Sequence, residues 1–197
     1  MESSSEANTK HRKSRSITFR VDTQVIEELQ KEADNNEFSL NILVNQVLKR
    51  YVDWYRYEKK LGMVPVPTIV LCDLIDETMK IAAEMGVMDI DIHRNKMIKK
   101  AAETSLSVIR DSVLYMKKEY NLWTVLDVLQ EYMKVSGFTS DHKIEPNRKH
   151  VFIIHHELGE NWSLFAKELL TLIFGELAQV RTEINMTSKT VKAEVIL

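Results

Sequence analysis

The chain has 197 residues, 44% apolar and 28% charged, with a formal net charge of −2. This fits a folded protein of one large or two small domains. The single cysteine, Cys72, excludes an intrachain disulfide and fits a reducing cytoplasm. No apolar run approaches the roughly 20 residues that span a bilayer, so no membrane partner is expected.

The opening MESSSEANTK is small and polar and lacks the apolar core of a secretory signal. Residues 1–15 are expected to form a flexible basic arm. Lys10, Arg12, Lys13, Arg15 and Arg20 fall in a stretch without acids, while the rest of the chain is mildly acidic. A confined basic patch suits contact with an anionic partner.

SITFRV alternates strictly, with Ile17, Phe19 and Val21 on one side and Ser16, Thr18 and Arg20 on the other. A lone strand has unpartnered backbone groups, and no second strand lies nearby in sequence. Pairing with the same strand of a second copy would give a two-stranded ribbon that fits the major groove of DNA. Asp22 and Thr23 suit the start of a first helix with the apolar face Val25, Ile26, Leu29 and Ala33. Asp34, Asn35 and Asn36 end it, with Asn36 suited to a left-handed cap. Ser39 caps a second helix carrying Leu40, Leu43, Val44, Val47, Leu48, Tyr51, Val52 and Tyr55 on one side. That helix is expected to run through Glu58, about 30 Å at roughly 1.5 Å per residue. It is too apolar for its small partner helix to cover, so a homodimer, or a tetramer built from it, is expected.

The stretch from Arg15 to Trp54 resembles the ribbon-helix-helix DNA-binding module of the MetJ/Arc type. The match rests on the alternating SITFRV, the spacing to two helices, the Ser39-Leu40-Asn41 helix start and the apolar phasing of NILVNQVLKRYV. It departs from the family pattern in having NNEF where many members have a glycine before the second helix. The resemblance implies a sequence-specific DNA-binding transcriptional regulator, such as a repressor, located with the nucleoid in the cytoplasm. In that reading Ser16, Thr18 and Arg20 read base edges. Lys10, Arg12, Lys13, Arg15 and the Ser39-Leu40-Asn41 helix start contact phosphates. The alternative is an antitoxin-like or scaffold protein whose C-terminal part binds a protein partner.

Gly62, Pro65 and Pro67 make GMVPVP (62–67) a stiff linker between an N-terminal domain at 16–61 and a C-terminal domain at 68–197. Helices are predicted from Thr68 to Met85, from Asn95 to Glu119 and from Asn121 to Ser136. VMDIDIHRN reads as a short strand or a loop, and FTSDHKIEPNRK as a polar loop. HVFIIHH reads as a buried strand, Asn161–Ala178 as a helix, and 180–186 and 190–197 as two strands joined at Thr187, Ser188 and Lys189. The predicted fold is mostly α with an α+β C-terminal part: the ribbon-helix-helix, a helical segment, then a small β-α-β-β unit.

The C-terminal domain has the core pattern expected of a sensor or oligomerisation module that takes a small-molecule or protein effector. No cofactor is expected. His155 and His156 point to opposite strand faces, and His150 and His156 lie about 20 Å apart at roughly 3.3 Å per residue, so no metal site is predicted. No phosphate loop, nucleophile motif or acid/base pair is apparent, so no catalytic residues are assigned.

Overall fold

The computed structural model describes residues 15–146, 149–177, 179 and 182–196. The chain divides into two compact units, Met1–Lys49 and Arg50–Leu197. Its architecture is mixed α/β, with helices preceding and covering a four-stranded antiparallel sheet.

In the first unit, residues 15–22 are irregular and exposed. Within the single chain these residues pair with no other strand, and Ile17 and Phe19 stand in solvent at 64% and 61% exposure. A single extended segment has no ladder partner within its own chain, and side-chain alternation alone does not supply one. Helix α1, Thr23–Asn35, starts where Asp22 accepts the Gln24 amide at 2.8 Å. It ends differently from expectation: Asn36 keeps a negative φ, and Glu37 takes the left-handed conformation at φ 57°. The Asn36 side chain instead donates to the Glu32 carbonyl, 2.7 Å away. Ser39 accepts the Ile42 amide at 3.3 Å and caps α2, Leu40–Arg50. Within this unit the buried apolar residues are Ala33 and Leu43.

The second unit begins at Arg50. A π-helical turn, Tyr51–Tyr55, and a short α3, Arg56–Glu58, bring helical structure to the residue expected from the sequence, but not as regular α-helix. The wide turn puts Trp54 into the core at 2% exposure, 5.8 Å from the ring of Tyr132. Tyr57 meets Tyr115 edge-on at 6.0 Å, and Arg50 donates to the Val135 carbonyl at 3.3 Å. After irregular chain at 63–67 comes α4, Thr68–Glu84, followed by Gly86 at φ 74°.

Helix α5, Ile90–Lys117, starts earlier than predicted. Asp89 accepts the Ile92 amide, so the apparent alternation of VMDIDIHRN is a cap and a first helical turn. Helix α6, Leu122–Val135, opens with a reciprocal capping box between Asn121 and Thr124.

The sheet runs β1-β2-β4-β3, with β1 Thr139–Glu145, β2 Lys149–His155, β3 Thr182–Met186 and β4 Thr190–Ile196. β1 falls where a polar loop was expected. It is an edge strand with one wet face, so its sequence carries little apolar signal. Helix α7, Gly159–Leu177, begins two residues before the predicted start, at Gly159 with φ 79°. One sheet face carries Phe152, Ile154, Ile184, Val191, Ala193 and Val195. It packs on Ala166, Leu169, Leu170, Ile173 and Phe174 of α7, with α5 and α6 completing the core.

Candidate ligand-binding cavity

Antiparallel partners share a face, so Ser140, His142 and Ile144 of β1 lie with Ile154, Phe152 and His150 of β2 on the helix-covered side. Between that side, α6 and α7 lies an apolar cavity. Its volume is about 50 Å³, and it is partly open to solvent. Its walls include Leu129 and Met133 of α6, Phe152 of β2, and Trp162, Phe165 and Ala166 of α7. Gln130 and Ser140 bring polar side chains to it. Asp141 and Ile153 also border it, but strand alternation turns their side chains to the other sheet face, so their share of the wall is main chain. The exposed lining of the cavity is mainly apolar.

The α7 end of the cavity is fixed by a buried polar chain. His156 is 5% exposed and Ser163 fully buried. The Leu158 amide donates to His156 Nδ1 at 3.2 Å, which places the proton on Nε2. Nε2 then donates to Ser163 Oγ at 2.9 Å, and that hydroxyl donates to the Thr187 carbonyl at 2.6 Å. A Ser–His pair suggests nucleophile activation, but here the ring presents N–H to the hydroxyl, not a lone pair. The chain clamps the end of β2 and the β3–β4 turn to α7. Its indole neighbour, Trp162, lies 4.4 Å from the His156 ring and 5.0 Å from Phe138. Burial holds the His156 pKa below its ordinary value; Glu157 opposes the shift and His155 adds to it.

At the β1 side, His142 Nε2 and His150 Nδ1 are 2.9 Å apart. The His142 ring stacks on Phe152 at 4.2 Å with an 8° interplanar angle, and Trp123 of α6 covers His150 at 5.5 Å. Burial, then His150, pushes the His142 pKa down. The opposite sheet face is charged. Glu194 lies 2.5 Å from Lys149 and also contacts Lys192, and these two ammonium groups pull its pKa down to about 2.

Ser16, Thr18 and Arg20, expected to read base edges, belong to the first unit. Ser16, Thr18, Arg20 and Arg15 lie exposed on irregular chain. Ser39, Leu40 and Asn41 open α2 as expected, with Ser39 acting as the cap. Lys10, Arg12 and Lys13 lie outside the described residues. Among the described residues, no group of three or more His, Cys, Asp and Glu side chains is placed to hold a metal ion. No helix among them is long and apolar enough to cross a membrane. The cavity and the His142–His150 pair went unseen in the sequence because both depend on β1.

No family model matches the chain, and no curated protein matches it in sequence. Among solved structures, that of an H-NOX protein from S. oneidensis in the Fe(II)NO ligation state resembles it at 12% identity and a TM-score of 0.44. The match covers 79% of this chain and 94% of that one. A likeness this loose transfers neither a fold name nor a ligand. The ribbon-helix-helix assignment is nonetheless corrected. Within the chain, residues 15–22, which include those meant to form the ribbon, are irregular and form no strand. The DNA-binding repressor reading is withdrawn with it, and the antitoxin-like or scaffold alternative gains no support.

Proposed function

We propose that the second unit is a small-molecule-binding module whose ligand enters the cavity between α6, the β1–β2 side of the sheet and α7. The observation that carries this reading is the combination of an aromatic and aliphatic wall with, among the described residues, Gln130 and Ser140 as its polar side chains. Such a wall selects a neutral ligand with an apolar, planar body and one hydrogen-bonding group, because a charge would enter without a partner. Indole is a suitable probe. Calorimetry should detect saturable binding to the full chain and its loss in Ala166→Leu and in Met133→Phe, which fill the cavity from different helices. Equal binding by the wild type and both variants would place the ligand elsewhere.

A second reading concerns partners and rests on the first unit. Val25, Ile26, Ile42, Val47 and Leu48 are each between 41% and 49% exposed, while among the described residues of this unit burial is limited to Ala33 and Leu43. So small a core is a poor basis for stability. Self-association of the chain through these helix faces would cover them.

A further inference from the structure

We propose that the His142–His150 couple is a proton-operated latch on the β1 wall of the cavity. It holds the wall against a bound ligand while the couple carries at most one proton, and frees the wall once both rings are charged. The latch rests on the reading of the cavity as a ligand site.

The geometry is specific. A 2.9 Å contact between two imidazole nitrogens needs one N–H and one lone pair facing each other. The neutral couple has them, and so does the singly protonated couple. The doubly protonated couple has two N–H groups facing, and two like charges in a partly buried place. The rings must then part. His142 is the one to move: β1 is an edge strand bonded only to β2, whereas β2 is held on both sides, by β1 and β4.

Two features connect this motion to the cavity. Phe152, on which His142 stacks, is a wall residue, and so is Ser140, two positions from His142 on the same face of β1. Displacing His142 removes the backing of one and shifts the other.

Few other groups compete for the protons. On β1, Asp141, Lys143 and Glu145 occupy the opposite face, as do Lys149 and His155 on β2. β4 meets His150 with Val195. α6 brings Trp123, and its Asp127 is engaged by Lys117. Among the described residues, the one titratable group acting electrostatically on His142 is His150.

The test uses the full chain, without ligand, followed by NMR of the histidine rings and the Leu129, Met133 and Ile154 methyl groups from about pH 8 to about pH 5. The methyl signals should move as the His142 ring titrates. In His142→Phe, which keeps a stacking ring but no proton site, and in His142→Gln, they should stay still. Indole affinity of the wild type should fall about tenfold between about pH 7 and about pH 5, and by under about twofold in either variant. Methyl signals that ignore His142 titration would overturn the latch, as would variants that keep the acid loss of affinity. If indole binds at no pH, the cavity reading fails on its own, and the methyl titration still decides whether the couple moves the wall.

Discussion

For His156 and His142, burial more than neighbouring charge sets the titration. His156 has every ring nitrogen satisfied, and its shift comes first from desolvation, as does that of His142. Both folded-state pKa values are lowered, so the unfolded chain binds protons that the folded chain refuses. Stability present above the unfolded imidazole value, about 6.5, is lost as pH falls through the lower folded values. Urea unfolding should give a midpoint that drops between about pH 7 and about pH 5, with a shallower drop in His156→Gln. A flat profile would mean that neither ring is desolvated in solution. Glu194 acts in a lower window. Lys149 and Lys192 hold it ionised down to about pH 2, so its contribution is lost between the ordinary carboxylate range and that value.

At the scale of elements, the sequence was legible where local chemistry decides. Asp22, Ser39 and Asn121 mark helix starts as capping residues, and Gly86, at φ 74°, follows α4 as a stop. The buried β2 reads directly from HVFIIHH because its apolar centre lies between two paired strands. β1 was not legible. On its inner face Ser140 lies at the cavity rim, His142 stacks on Phe152 and Ile144 is exposed, so no apolar alternation betrays it. The histidine pair was missed for the same reason: distances along one strand say nothing about a neighbour supplied by another. Asp89 was a weaker failure, since an acid three residues before Ile92 is a cap signal hidden inside an alternating run. The π-helical turn at Tyr51–Tyr55 had no sequence signature, yet it sets Trp54 into the core. Trp54→Ala should cost about 3–5 kcal/mol of unfolding free energy in chemical denaturation, as for other buried large-to-small changes. A cost below about 1 kcal/mol would mean that this turn does not anchor the second unit.

On the scale of the whole molecule, the two units differ in how much they complete on their own. The second has a continuous core drawn from α5, α6, α7 and the sheet, and it encloses the cavity. The first leaves apolar helix faces open to solvent. If self-association covers those faces, sedimentation should find the full chain as a dimer or larger. Val47→Glu with Leu48→Glu should shift it toward the monomer while leaving indole affinity unchanged. A wild type that sediments as a monomer at every accessible concentration would contradict this. The central claim is the cavity, and methyl NMR of the full chain titrated with indole tests it most directly. Saturable shifts confined to Leu126, Leu129, Met133, Ile154 and their neighbours, and absent in Ala166→Leu, are the predicted result. Shifts that do not saturate, that map to other parts of the chain, or that persist in Ala166→Leu would contradict it.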